Sequence, residues 1–212
     1  MGVVRFWGPT TRMCNLYSLQ TGDLFATWEK VLRLPVVWEG QASNFEPRPE
    51  IKMTEVAPIV RHLGDQAVVS MTRWSWPSPS GKPVFNFVSE GRDFSNSDRV
   101  LIPADAFYEF TAKLQPKQPR LTRWQFTMVD NPLFWIAGVV QKGCWSMLTT
   151  TPGDDIKPYH DRQVVLLAAD QGRDWLDLTR PQAEILAPAP AGTLQVVRAF
   201  PPPDLPSSDL FG

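Results

Sequence analysis

The sequence predicts a single α+β domain, rich in short strands and flanked by short helices. Its 212 residues suffice for one well-cored domain, and no break in composition divides them. A hydrophobic content of 43% with nine Trp and twelve Phe demands a large aromatic core, while 21 Pro against 13 Gly punctuate the chain too often for long helices. Apolar runs of strand length also recur between turn signals along most of the chain.

Residues 1–12 have no periodicity and read as a leader, or as a start placed upstream of the natural one at Met13. Asp23 reads as the N-cap of a helix in which Leu24, Trp28, Val31 and Leu32 recur at helical spacing up to Pro35. Asn44-Phe45-Glu46-Pro47-Arg48-Pro49 reads as a proline-stiffened loop, and residues 56–62 and 66–73 as a hairpin turning at Leu63-Gly64-Asp65. The stretch 74–83 excludes regular structure by its proline content; Trp74 and Trp76, beside Arg73 and Lys82, read as an exposed aromatic-basic loop, the alternative being that both rings fill the core. Residues 84–88 resume as a strand interrupted by Asn86, a poor strand former.

The run 100–110 is apolar and aromatic except for Glu109, and a carboxylate placed there points to function. After a polar turn at 113–123, the runs 124–129, 133–140 and 145–150 read as a strand meander. Pro158-Tyr159-His160-Asp161-Arg162 then forms a loop ahead of a strand at 163–168, so His160 sits where polar side chains carry function. Asp170 caps a short helix through Leu176, Pro181 begins another to Leu186, and 194–200 is a last strand. The expected organisation is a leader at 1–12, a domain at 13–200 and a tail at 201–212.

Twenty-one Lys plus Arg against 22 Asp plus Glu leave a formal charge of -1, which excludes a global basic coat, so any nucleic-acid contact must come from a local patch. Two cysteines, Cys14 and Cys144, are too few for a disulfide-stapled secreted fold and fit a reducing cytoplasm. No run approaches the ~18 apolar residues of a membrane span. The chain has no phosphate-binding or dinucleotide fingerprint, and its two histidines and two cysteines do not form a metal cluster, so neither cofactor nor metal is expected. Nothing demands an oligomer, and a monomer is the expectation.

Met13-Cys14 resembles a translation start. An N-terminal cysteine carries a thiol and an α-amine on adjacent carbons, a 1,2-aminothiol able to close a five-membered ring on an aldehyde. With the amine titrating near ~7.7–8.0 and the thiol near ~8.5, small environmental shifts leave both nucleophilic at neutral pH. The plain alternative for Cys14 is a small buried hydrophobe.

Four ordered motifs carry a resemblance: Met13-Cys14-Asn15-Leu16-Tyr17-Ser18, then Asn86 with Ser89-Glu90, then 101–105 through Phe107-Tyr108-Glu109, and Thr149-Thr150 followed by His160-Asp161-Arg162. From Met13 to Phe200 the chain resembles the SOS-response-associated peptidase (SRAP) family of abasic-site processing proteins. The resemblance implies a compact α+β fold whose mixed sheet is partly barrel-like, with a basic cleft for single-stranded DNA carrying abasic sites. It implies that the family's catalytic cysteine, asparagine, glutamate and histidine fall on Cys14, Asn86, Glu109 and His160. It further implies that removal of the preceding methionine frees the cysteine to trap the abasic aldehyde as a thiazolidine, without a cofactor.

Val88 and Leu16 stand where the family commonly has arginines, and Ala106 where it has glycine, so DNA grip is expected to be weaker. Arg48, Arg73, Lys82, Arg92, Arg99 and Arg162, with Trp74 and Trp76, are the candidates to supply it. Two further readings stay open: a cysteine peptidase acting in trans with Cys14 and His160 as nucleophile and base, and a catalytically silent single-stranded DNA-binding module.

Overall fold

In the computed structural model, which describes residues 14–20, 24–40 and 46–202, the chain is a strand-rich α+β domain with three short α-helices among the described residues. Strand β1 (Leu16–Leu19) leads to helix α1 (Leu24–Leu32), then β2 (Val36–Trp38), β3 (Arg48–Lys52), β4 (Val56–Leu63), β5 (Gln66–Trp74), β6 (Trp76–Pro77), β7 (Pro83–Val84) and β8 (Asn86–Val88). Next come β9 (Asp98–Ala104), β10 (Ala106–Thr111), β11 (Thr122–Met128), β12 (Phe134–Gln141), β13 (Cys144–Thr150), β14 (Gln163–Val164) and β15 (Leu166–Leu167). Helices α2 (Gly172–Asp177) and α3 (Gln182–Ile185) precede the last strand, β16 (Leu194–Phe200). No helix is long and apolar enough to cross a membrane among the described residues.

Two sheets share the work. One runs β16-β11-β10-β1-β3, every pair antiparallel. The other runs β14-β13-β12-β9-β4-β5-β2, with β15 added on β12 and β8 on β13. Parallel pairing of Cys144 with Arg73 and Trp145 with Trp74 joins β13 back to β5, so β13, β12, β9, β4 and β5 close a ring, the barrel-like part of the fold. Gly138 on β12 faces into this packing: a Cβ there would meet the Ile102 side chain at 2.5 Å and the Ser146 carbonyl at 2.9 Å. The chain passes from β9 in one sheet to β10 in the other across Asp105 alone, whose carboxylate accepts from the Ser18 hydroxyl and the Gln20 amide.

The core explains the aromatic content. Trp74 and Trp145 stack at 5.1 Å between ring centroids, Tyr17 meets both edge-on at 5.5 and 6.2 Å, and Phe107 stacks on Phe126 at 5.0 Å. Helix α1 is held through Trp28, whose ring lies 5.4 Å from that of Trp135. Buried indoles need a partner for N–H, and backbone carbonyls supply it: Phe85 to Trp74, Ala169 to Trp135, Thr72 to Trp145 and Val100 to Trp175. Burying one such ring stabilises by about 1.5–3 kcal/mol.

Several expectations are corrected. The stretch 74–83 contains regular structure after all: Trp76 pairs with Val84 and Pro77 with Pro83 in a two-stranded ribbon, the prolines being tolerated because it is too short to need a full ladder. The expected meander is split. β11 lies between β10 and β16 in one sheet, whereas β12 and β13 form a hairpin in the other, since alternation of apolar residues reveals a strand but not its partner. Strand β3 runs through Arg48 and Pro49, expected to be loop; as the end strand of its sheet it can spare the missing N–H. Strand 84–88 is broken at Phe85, and 163–168 at Val165. Helix α1 ends as expected before Pro35, at Arg33 with φ +54, while the cap at Asp23 and the leader at 1–12 lie outside the described residues.

Candidate active site

Cys14 immediately precedes β1, and the antiparallel register of β1 on β10 brings it abreast of Glu109. Its backbone nitrogen donates to Glu109 Oε1 at 3.1 Å. Its carbonyl accepts from Asn86 Nδ2 at 2.8 Å, reached from β8, which is itself fixed against β13 with Asn86 opposite Met147. One expected residue from each of three distant segments therefore meets at the backbone of one residue, Cys14. Asn86 at the head of a strand, a poor choice for propensity, is explained by this bond.

The pocket is dry. Cys14 and Glu109 are each 1% exposed. Burial, the largest cause, and then the Glu109 charge push the Cys14 thiol well above its usual range, against the lowering effect of backbone hydrogen bonds at Leu16 and Tyr108; the thiol donates to the Leu16 carbonyl at 3.5 Å. Burial likewise raises the Glu109 carboxyl well above the carboxylate range; the Cys14 N–H opposes this and the charge of Asp161 adds to it. A thiol and a carboxyl are thus both held toward their neutral forms, and Glu109 stands at the Cys14 nitrogen as a candidate proton donor. Glu109 Oε2 and Asn86 Oδ1 are buried without a hydrogen-bond partner.

His160 lies on the loop after β13, 8% exposed, with its amide on the Ile156 carbonyl at 3.0 Å. The neighbouring Tyr159 ring packs 4.8 Å from Trp124, the residue opposite Glu109 on β11, and so ties this loop to the Glu109 strand. Nδ1 of His160 accepts from the Arg162 amide at 3.1 Å and also lies 2.9 Å from Asp161 Oδ1. The first contact requires a bare Nδ1 and the second a protonated one, so they belong to two proton states of the ring.

The expected DNA-contacting residues fare unevenly. Trp74 is 0% exposed and Trp76 5%, so the aromatic-basic loop is not an exposed platform: both rings fill the core, Trp76 packing edge-on to Phe87 at 5.4 Å. Their hydrophobic area outweighs any surface role, a choice that the flanking Arg73 and Lys82 do not reveal. Arg73 and Lys82 are exposed. Arg48 is paired with Glu55 and donates to the Val56 carbonyl, and Arg92 lies 4.2 Å over the Phe87 ring. Arg99 donates to the carbonyls of Phe94, Ser95, Trp175 and Leu176, a cross-brace within the fold. Arg162 forms a bidentate pair with Glu90 at 2.6 and 2.7 Å. Leu16 is buried, whereas Val88 is 42% exposed. Sequence reasoning gave no role to Glu90 or Asp161, although each stands in a motif that carries the resemblance.

Comparisons with known proteins bear on family and fold. The chain is 35% identical to the abasic site processing protein YoaM and 32% to YoqW, both of Bacillus subtilis (strain 168); the match covers 38% of this chain and 38% and 39% of those relatives. Solved structures share the fold over most of the chain. A Bordetella bronchiseptica protein gives a TM-score of 0.61 at 23% identity, covering 87% of this chain and 99% of the other. A phage-related protein of the same organism gives 0.65 at 21%, covering 88% and 94%. A Bacteroides thetaiotaomicron protein gives 0.63 at 16%, covering 87% and 91%. The family model for SOS response associated peptidase (SRAP) matches residues 13–199, and the chain belongs to that family.

Proposed function

We propose that this chain captures abasic sites in single-stranded DNA as a covalent adduct on Cys14, after cutting the bond between Met13 and Cys14 itself. One observation carries the reading: Glu109 holds the nitrogen of Cys14 while Asn86 holds its carbonyl. That nitrogen is a peptide nitrogen here and stands where the α-amine would be after cleavage. The relatives named abasic site processing proteins support the choice of substrate.

In the cutting step the minor ionised form of Glu109 takes the thiol proton and Sγ adds to the Met13 carbonyl. The C–N bond breaks, the proton passes to the departing nitrogen, and water hydrolyses the thioester to restore the thiol. In the capture step the freed amine adds to the aldehyde of the ring-opened deoxyribose. Its hydroxyl leaves as water on a proton from Glu109, the thiol adds across the C=N bond, and a thiazolidine closes with net loss of one water. His160 serves as the second acid-base group and Asn86 orients the Cys14 backbone; each positioned acid-base group contributes about 10²–10⁴-fold. Arg73 and Lys82 supply phosphate contacts. The reaction needs no cofactor and one chain suffices.

The test is protein expressed from Met13, mixed with a single-stranded oligonucleotide carrying one abasic site, heated in denaturant and run on a gel beside Cys14→Ala. A shifted band with the native cysteine and none with alanine is expected, with an intact mass lacking the methionine. An adduct on Cys14→Ala, or on protein still carrying Met13, would overturn the reading. Cleavage of unrelated peptides with the Cys14 amine blocked would favour a peptidase acting in trans.

A further inference from the structure

We propose that the tip of the β10–β11 hairpin, through Lys113, Lys117 and Arg120, is a phosphate-binding surface for the DNA strand that continues from the abasic site. This deepens the function proposed above and rests on it for the choice of partner. From Phe110 to Val129 the chain has no acidic residue and carries Lys113, Lys117, Arg120 and Arg123, a local excess of positive charge in a protein whose net charge is -1. Arg123 is committed, its Nη1 donating to Glu50 Oε1 at 2.6 Å. The other three are exposed and enter no ion pair among the described residues. The guanidinium of Arg120 lies 3.9 Å over the Phe200 ring, so the ring holds it by its face and leaves its N–H edge to a phosphate.

A buried amide gives the tip its shape. Gln118 Oε1 accepts from the Leu114 amide at 3.2 Å, while Nε2 donates to the Arg120 carbonyl at 2.6 Å and the Thr122 hydroxyl at 3.2 Å. The Thr122 hydroxyl donates in turn to the Ala112 carbonyl at 2.9 Å, just beyond the last pair of the ladder, Thr111 with Thr122. Pro116 and Pro119 stiffen the rest. The three cations therefore start from fixed backbone positions, which lowers the ordering cost of gripping a polyanion. Placement selects which polyanion. Strand β10 ends at Thr111, two residues after Glu109, and Lys113 follows within about 14 Å of Glu109 along the chain. The strand leaving a sugar seated at Cys14 is the polyanion within that reach. Leu114 and Leu121 are exposed beside the cations, which makes an acidic lipid surface the rival occupant, but nothing ties a membrane to the Cys14 pocket.

The experiment titrates the full chain, over a range of salt, with a single-stranded oligonucleotide in which a tetrahydrofuran, lacking the aldehyde, replaces the abasic sugar. Lys113→Gln, Lys117→Gln and Arg120→Gln are compared singly and together, with a thermal melt of each. The control is a triple of other exposed cations that enter no ion pair among the described residues, Lys30→Gln, Arg33→Gln and Lys142→Gln. Each single variant at the tip should flatten the log-log salt slope by about 0.7 and the triple by about 2. Over a fourfold rise in salt the native protein then loses roughly 20-fold more affinity than the triple. The control triple should keep the native slope. Because the tip lies to one side of Cys14, the triple should weaken binding of only one of two oligonucleotides that carry the tetrahydrofuran at the 5′ or the 3′ end. An unchanged slope in the tip triple, an equal loss in the control, or equal weakening with both end-placed oligonucleotides overturns the proposal. So does binding to phosphatidylserine vesicles that the triple loses while its DNA slope stays native, which would assign the tip to a membrane. Absence of any adduct between the native protein and a true abasic oligonucleotide would sink the proposed chemistry instead, and the salt titration would still decide this surface.

Discussion

Trp74→Ala separates a core tryptophan from a DNA-stacking one. The ring is fully buried, stacked on Trp145 with 5° between planes, and its N–H bonds to the Phe85 carbonyl at 2.9 Å. Truncating a buried Trp costs about 3–5 kcal/mol, and the orphaned carbonyl adds about 1–3 kcal/mol. A total near 5 kcal/mol lowers Tm by about 10–20 °C, at about 2–4 °C per kcal/mol for a domain of this size. Trp74→Phe keeps a ring in the stack and loses the N–H, so it should cost about 1–3 kcal/mol. Because Phe85 adjoins Asn86, adduct formation in Trp74→Phe should also slow at temperatures where the protein is folded, with oligonucleotide affinity unchanged. The assays are a melt by circular dichroism and a fluorescence titration with single-stranded DNA. An unaltered Tm in Trp74→Ala, with affinity lower by the ~1–3 kcal/mol of a lost base stack, would refute the placement of this ring.

The remaining predictions concern charge. The folded state favours protonated Glu109, so its stabilising preference is complete below the ordinary carboxylate pKa and is lost as pH rises toward the raised folded value. Glu109→Gln should therefore match the native melt near about pH 4 and exceed it near about pH 8, the unfolded pKa being about 4.3, while adduct formation slows; parallel melts at both pH values would contradict burial as the cause. Val88→Arg, on an exposed position of β8, should strengthen single-stranded DNA binding and steepen its log-log salt slope by about 0.7; an unchanged slope would place position 88 away from the DNA path. Arg99→Ala should lower Tm without altering the slope, since all its bonds go to backbone carbonyls; a reduced slope would make Arg99 a phosphate contact.

The sequence carried the strands at 56–62, 66–73 and 194–200 plainly, because their flanking turns and alternation are local properties. It did not carry β1 or β2, four and three residues long, since so few residues hold no period. Nor could alternation tell that β11 and β12 belong to different sheets. Cys14, Asn86, Glu109 and His160 were picked out by residue type in an unlikely context and by motif order. Their meeting was not legible, because it depends on a register between segments 95 and 72 positions apart. Trp74 and Trp76 misled for a similar reason: prolines and basic neighbours describe a loop, and only the packed ring of strands says which way the indoles turn.

The passage from one sheet to the other at Asp105 has a consequence for timing. Cys14 and Glu109 belong to the sheet on one side of it, and Asn86 is fastened to β13 on the other. A half-built chain therefore has no grip on the Cys14 carbonyl, and contacts so distant in sequence are among the last to form. On the proposed mechanism the Met13 bond would then be an odometer for folding, whole in nascent or collapsed chains and cut only when both halves have docked. The proposed aldehyde-reactive aminothiol would then be unmasked only after the chain is safe to carry it, and a methionine-free mass would count the molecules that have finished folding.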